Sequence, residues 1–184
     1  MATQERLYTA GDLWALSHQV GDHVRLELIK GVVRAMTPTG GKHGVIAGRL
    51  LLRIGLYVEE HRLGHVTAAE TGYQLSTEPD TVIGPDVGFI AYARLAALPD
   101  GYIPLAPDLA VEVVSPGDRR GEVQRKVRLY LSAGTQLVWV VHPKRKNVVV
   151  HSAAGTKILI AADTLDGGGV LPGFSLPVGS IFDI

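Results

Sequence analysis

The stretch LAVEVVSPGDRRGEVQRKVRLYLSAGTQLVWVV, residues 109–141, decides the fold. Apolar runs of strand length at 109–115 and 137–141 flank an amphipathic segment at 118–133. Gly134 follows that segment directly, which is the place where glycine commonly ends a helix. The stretch therefore predicts a strand, a helix and a second strand, an arrangement typical of an α/β protein.

The flanking sequence extends this pattern in both directions. Thr9 and Asp12 have the spacing of a capping box, which predicts a helix over 9–18. Two strands, 26–29 and 32–36, are expected around the tight turn Lys30-Gly31. The remaining predicted elements are a helix over 43–61 and strands over 66–75, 85–91 and 148–151. The tail from Gly167 is expected to wrap the surface, with an edge strand as one possibility.

From residue 43 to residue 141 the predicted order is αβββαβ with a mixed sheet. The N-terminal helix and hairpin and the C-terminal strands would extend that sheet. No repeat or linker divides the sequence, so residues 1–184 are expected to form a single domain.

Composition limits the possible chemistry. The chain has no cysteine, so a metal must be held by carboxylates, carbonyls or histidines, and a cytoplasmic location is expected. Residues 1–8 lack an apolar signal core, and no apolar run is long enough to span a membrane. Zero formal net charge argues against a protein that coats nucleic acid through bulk charge. The basic clusters at 119–128 and 144–146 would form either a local basic rim or a solvated surface.

Two carboxylates carry the chemical signal. Glu112 is flanked by apolar residues within its strand, so its charge requires a partner, a metal or a cleft. Asp86 opens the apolar run 87–90, and a neighbouring strand could place it beside Glu112. A hard cation such as Mg²⁺ would relieve their repulsion. The alternatives are a buried salt bridge for Glu112 and a turn residue after Pro85 for Asp86.

Lys126 is the third candidate. On the predicted helix it falls outside the polar face, which comprises Gln124, Arg125, Arg128 and Ser132. Its ammonium could stabilise a phosphate transition state or orient an attacking water. The alternative is a lysine that extends to solvent and pairs with Glu122 one turn before it.

These residues resemble a known family. Pro85-Asp86 followed by Glu112-Val113-Val114 is similar to the PD-(D/E)xK nuclease signature, with Val114 in place of the usual lysine. Some branches of that superfamily carry the lysine on the following helix, where Lys126 stands. The segments VEVVSP (111–116) and WVVHP (139–143), with Lys126, Tyr130 and Ala133-Gly134 between them, more closely resemble the large prokaryotic family of restriction-endonuclease-like proteins formerly described as a domain of unknown function. The segments LELIKG (26–31), ETGY (70–73) and LPGF (171–174) also match. Lys30 and His142 depart from it, since aspartate is usual at both positions.

The resemblance implies a restriction-endonuclease-like fold, Mg²⁺ or Mn²⁺ as cofactor, DNA as substrate and a homodimer. It makes Asp86 and Glu112 metal ligands, Lys126 a catalytic residue and Glu27 a further metal ligand, although Glu27 could instead point to water. The other supporting candidates are Glu70, His43, Ser115 and Glu122. His43 would contact phosphate or be a surface residue, and Ser115 would cap the following helix or contact the site.

The leading hypothesis is therefore a metal-dependent endodeoxyribonuclease. The main alternative is a catalytically idle relative that keeps the fold and binds DNA or protein. A third hypothesis, a glycosidase-like hydrolase that uses the same carboxylates, is disfavoured by the lysine and by the resemblance.

Overall fold

The structure is a computed structural model that describes residues 6–20 and 24–184. In chain order the elements are α1 (Ala10–Val20), β1 (Arg25–Ile29), β2 (Val32–Met36), α2 (Gly41–Glu60), β3 (Gly64–Ala68), β4 (Tyr73–Ser76), β5 (Thr81–Ile83), β6 (Val87–Ala91), β7 (Leu109–Val113), α3 (Arg120–Ser132), β8 (Leu137–His142), β9 (Asn147–Ser152), β10 (Gly155–Leu159), β11 (Thr164–Gly167), β12 (Leu171–Pro177) and α4 (Val178–Ile181).

A six-stranded mixed sheet forms the centre of the fold, in the order β10-β9-β8-β7-β6-β3. The strands β7 and β8 pair in parallel, and α3 makes the crossover between them. The other neighbouring pairs of this sheet are antiparallel. Helix α2, strands β3, β6 and β7, helix α3 and strand β8 give the αβββαβ core, so the predicted fold class is confirmed.

The alternation of side chains in β7 determines what each face of the sheet covers. Val111 and Val113 pack in the larger core with the apolar stripe of α2, whereas Ala110 packs with Val127 and Tyr130 of α3. Glu112 therefore projects on the α3 side, as the period of two predicts. The side chains of β7 thus give the sheet one apolar face, which packs against α2, and one face that carries the charge of Glu112.

The N-terminal hairpin departs from the prediction. Strands β1 and β2 do not extend the main sheet but belong to a second, four-stranded sheet in the order β2-β1-β5-β4. The three-residue β5, which the sequence analysis missed, pairs with both β1 and β4. Such a short strand gives too few residues to show a period.

The single strand predicted over 66–75 is also wrong. The segment contains β3 and β4, which lie in different sheets. Glu70 between them has a φ of 78°, a left-handed conformation that redirects the chain. The alternating pattern continues across this break, which is why the sequence did not reveal it.

The C-terminal segment contributes to the core rather than wrapping the surface. Strands β9 and β10 extend the main sheet, and β11 and β12 form a separate hairpin. Leu165, Leu171, Phe174 and Leu176 from that hairpin are buried in the same cluster as the α2 stripe. None of the helices in residues 6–20 and 24–184 combines the length and apolar character needed to cross a membrane.

Candidate active site

A cavity of about 700 Å³ lies where the two sheets, α2 and α3 approach one another. Its walls come from the β1–β2 hairpin, the loop 37–40, the first turn of α2, the end of β7 and one side of α3. Seven of the predicted site residues line it: Glu27, Asp86, Glu112, Lys126, His43, Ser115 and Glu122. The eighth, Glu70, does not line this cavity and instead borders a neighbouring one.

Lys126 is held between two carboxylates. Its Nζ donates a hydrogen bond to Glu27 Oε1 at 2.8 Å and to Glu112 Oε1 at 3.4 Å, and its side chain is 15% exposed. Burial lowers the pKa of Lys126, but the charges of Glu112 and Glu27 outweigh that effect and raise it. The lysine is therefore charged and directed into the protein.

The pairing of Lys126 with Glu122, the alternative left open by the sequence, is not found. Glu122 is exposed, and its Oε1 lies 3.9 Å from Arg34 Nη1. At this exposure the contact with Arg34 contributes little to stability. Glu122 therefore stands at the rim of the cavity rather than beside the ammonium.

Glu112 receives two donors on the same oxygen. Tyr130 Oη donates to Glu112 Oε1 at 2.8 Å, in addition to the contact from Lys126. Burial raises the pKa of Glu112 to about 7, because the lowering by Lys126 and Tyr130 does not compensate for lost hydration. The carboxyl group thus exchanges its proton near neutral pH, which is unusual for a glutamate.

Asp86 is fixed against the strand that carries Glu112. It precedes β6, and its Oδ2 accepts a hydrogen bond from the backbone N–H of Val113 at 2.7 Å. Its own backbone N–H donates to Val111 O at 2.9 Å. Asp86 also raises the pKa of Glu112, so the two carboxyl groups are close enough for their charges to interact.

His43 completes the environment of Asp86. Its Nε2 lies 3.1 Å from Asp86 Oδ2, and both side chains are buried. Burial lowers the pKa of His43, but the hydrogen bond and charge of Asp86, with Asp118 and Glu112, raise it above its ordinary value. His43 is therefore a buried imidazole beside a carboxylate, not the surface histidine that the sequence left possible.

Ser115 and Asp118 shape the turn that leads into α3. Asp118 Oδ2 accepts a hydrogen bond from Ser115 N at 2.7 Å, and this bonded turn precedes the helix, which begins at Arg120, two residues later than predicted. The Ser115 hydroxyl is buried without a hydrogen-bond partner among the described residues. Ser115 lines the cavity, and no side chain caps the helix.

Comparison with known proteins identifies the family. A model for the Uma2 family, described as "Putative restriction endonuclease", matches residues 12–179. The chain belongs to the Uma2 family. A solved structure described as "a putative nuclease belonging to DUF820", from Anabaena variabilis ATCC 29413, superposes with a TM-score of 0.80 at 20% identity. The match covers 95% of this chain and 97% of that one, and at this identity it shows the shared fold. No curated protein matches the sequence significantly.

Several residues at the site of this Uma2 protein were missed or misassigned in the sequence. Tyr130 was not among the candidates, although it stands four residues after Lys126 on the same helical face and donates to Glu112. Arg34 is the cross-strand partner of Glu27, which the two-residue Lys30-Gly31 turn would have predicted. Arg125 was predicted on the polar face of the helix, yet it lines the cavity. Its Nε is buried without a hydrogen-bond partner among the described residues.

The donor set fits a divalent metal that keeps part of its hydration. In the part of the chain that the structure describes, no three Asp, Glu or His side chains form a group that could hold a metal ion. Asp86 accepts its hydrogen bonds on Oδ2, and Glu112 accepts its own on Oε1. The second carboxylate oxygens, Asp86 Oδ1 and Glu112 Oε2, take no part in these bonds. Mg²⁺ is typically bound by one or two carboxylates, with water and substrate phosphate completing its shell. Asp86 and Glu112 are consistent with that pattern, whereas Glu27 is bonded to Lys126.

Proposed function

We propose that this chain is a Mg²⁺- or Mn²⁺-dependent endonuclease that hydrolyses phosphodiester bonds of DNA. The observation that supports it is the Lys126 ammonium, buried between Glu27 and Glu112 in an open cavity that Asp86 also lines. A lysine kept for stability alone would not need a solvent-accessible cavity of about 700 Å³ in front of it. A charged group that is held in place at such an opening is arranged to meet a charged ligand.

Each residue has a distinct role in this proposal. Asp86 and Glu112 hold the metal, which when bound supplies the Lewis acidity and the lowered water pKa that phosphodiester hydrolysis needs. The hydrogen bonds from Val113 N–H and His43 orient Asp86, and the one from Tyr130 orients Glu112. Lys126 donates to the phosphate oxygen on which negative charge develops, and Glu27 holds the ammonium in position.

The cations around the cavity support an anionic substrate. Arg25, Arg34 and Arg125 line it together with Lys126, whereas Arg119, Arg120 and Arg128 are exposed outside it. A local set of cations can bind phosphate even though the net charge of the chain is zero. We also retain a homodimer and a cytoplasmic location as proposals, the former from the family and the latter from the absence of cysteine.

The test is nicking of supercoiled plasmid in Mg²⁺ and in Mn²⁺. Asp86→Asn and Lys126→Ala should each lower the rate by about 10²–10³-fold, the usual loss on removing one group that stabilises the transition state. Lys157→Ala is the matched control, because Lys157 is exposed on β10 and outside the cavity. Cleavage that survives both substitutions would mean a contaminant or another site.

The second candidate is a relative that binds DNA or protein without cleaving it. The engagement of Lys126 by two carboxylates favours it, because a fully satisfied ion pair can be purely structural. The absence of cleavage with either metal, together with DNA binding that Lys126→Ala does not alter, would support this candidate over the nuclease.

A further inference from the structure

A second cavity, of about 380 Å³, borders strand β1. Arg25 and Glu27 line both this cavity and the candidate active site, so a single strand joins the two spaces. The rest of its wall combines aromatic, polar and aliphatic side chains, the aliphatic ones being Val24, Leu26, Val82 and Ile83. It includes Trp14 and His18 from α1, Tyr102 from the loop before β7, and Glu70.

Trp14 is the prominent feature of this wall. Its ring makes an edge contact with Tyr102, with centroids 5.1 Å apart and planes at 89°, and a tilted contact with His18 at 4.8 Å. Yet 41% of the residue remains exposed, although it follows Leu13, which is fully buried. A large aromatic that is held by neighbours but left open beside a cavity is typical of a surface that receives another flat ring.

Polar groups accompany the aromatic wall. Ser17, His18 and Glu70 line the cavity with Trp14, and Arg25 Nη2 donates to Gly84 O at 3.0 Å at its border. Ser17 Oγ and His18 Nδ1 both bind the carbonyl of Trp14, which leaves His18 Nε2 and the Glu70 carboxylate to match donors and acceptors on the edge of a nucleobase. The positive charge of Arg25 stands between this cavity and the one proposed for the phosphate.

We propose that this second cavity binds an unstacked nucleobase of the strand whose phosphate occupies the candidate active site, with Trp14 as the stacking surface. The proposal rests on the proposed nuclease function for the placement of the phosphate. It makes the preferred substrate single-stranded or locally unpaired DNA, since a base inside a duplex cannot enter a cavity without leaving the stack.

Tryptophan fluorescence gives a direct readout. The chain has two tryptophans, and the other, Trp139, is fully buried in the core. We expect a ten-residue oligothymidylate to quench Trp14 in EDTA, and a mixed-sequence duplex of the same length to quench it at least tenfold more weakly. The absence of quenching by the oligothymidylate, or equal quenching by the duplex, overturns the proposal.

Variants are compared through the anisotropy of a labelled oligothymidylate. Trp14→Leu keeps an apolar side chain but removes the stacking ring, and should weaken binding about 5- to 100-fold. Trp14→Phe keeps a ring and should stay within about threefold of wild type. Tyr92→Ala is the matched control, because Tyr92 is a similarly exposed aromatic outside both cavities. A Trp14→Leu protein that melts like wild type and binds equally well contradicts the stacking role.

The metal-free binding assay separates this inference from the nuclease proposal. Quenching without cleavage of either plasmid or single-stranded DNA, in Mg²⁺ or Mn²⁺, would leave the base-binding cavity supported and the nuclease refuted. Cleavage of duplex plasmid without quenching by single strands would refute the cavity and leave the nuclease intact.

Discussion

At the scale of single residues, the site depends on one oxygen atom. Glu112 Oε1 is approached by both Lys126 and Tyr130, yet burial still raises the pKa of this carboxyl group to about 7. A buried carboxylate is unfavourable even when it is paired, because the partner rarely replaces all of the lost hydration. The buried Glu112 carboxyl group therefore lowers the stability of the fold, but it provides a charge that a ligand can bind.

This cost predicts how stability depends on pH. In the metal-free native protein, Glu112 keeps its proton up to about pH 7, whereas in the unfolded chain it releases the proton near its ordinary pKa of 4.5. The native state thus binds more protons between these values, and the free energy of unfolding falls as pH rises from about 4.5 to about 7. Glu112→Gln removes this dependence.

The measurement is chemical unfolding of wild type and Glu112→Gln in EDTA at pH 5 and pH 8. Relative to the variant, the wild type should lose on the order of 2–3 kcal/mol over this range, at about 1.4 kcal/mol per unit of pKa shift. Titrating groups remote from Glu112 are common to both proteins and cancel in the difference. A difference that is the same at both pH values would refute the raised pKa.

At the scale of elements, the β1–β2 hairpin is the support for Glu27. Lys30 and Gly31 in its turn have φ values of 51° and 76°, the left-handed pair that a two-residue turn requires. A Cβ on Gly31 would lie 2.7 Å from Leu7 Cβ. The turn sets the register of the hairpin, and the register determines where Glu27 stands relative to Lys126.

Gly31→Ala should therefore lower both stability and activity. We expect a loss of about 1–2 kcal/mol in the free energy of unfolding, from the left-handed backbone and the contact with Leu7. Gly44→Ala in α2 is the matched control: nothing lies within 4 Å of its Cβ position, so it should be neutral or stabilise by up to about 1 kcal/mol. Thermal melts and plasmid nicking measure both. Equal behaviour of the two variants would contradict this account of the turn.

The elements also indicate what could be predicted from the sequence. Two predictions that depend on local periodicity were correct. The alternation of side chains in β7 placed Glu112 on the charged face, and the helical period of α3 directed Lys126 away from solvent. The contact between Lys126 and Glu27 joins residues 99 positions apart, one on helix α3 and the other in the smaller sheet, so no local period contains it. The break at Glu70 was hidden because an alternating pattern continued through a turn.

At the scale of the whole molecule, the site exists because the two sheets meet. The main sheet supplies Asp86 and Glu112, and the smaller sheet supplies Glu27 from β1. That residues 1–184 fold as one domain stays a prediction, and denaturant unfolding monitored by two probes would examine it. The larger core, which includes the α2 stripe and the β11–β12 hairpin, lies on the opposite face of the main sheet from α3.

The outer face of α2 predicts how two molecules would associate. Val45, Leu52 and Leu56 are 51%, 58% and 55% exposed and lie at spacings of seven and four residues, on one side of a 20-residue helix. Gly48 on the same side is open, which would allow close approach of a second helix. We therefore expect the proposed homodimer to form through this face, because burying three such side chains on each copy removes a sizeable apolar area from water.

Leu52→Glu combined with Leu56→Glu should convert the dimer to a monomer in sedimentation velocity at micromolar concentration, since it would bury four carboxylates at the interface. Ile158→Glu is the matched control, because Ile158 is equally exposed on β10, away from α2. The exposed positions do not contribute to the core, so the double variant should remain folded as a monomer, with a melting temperature that no longer depends on protein concentration. Its single-strand binding should also persist, since α2 forms no part of the Trp14 cavity. A wild type that sediments as a monomer, or a dimer that survives both charges, would place any association elsewhere on the molecule.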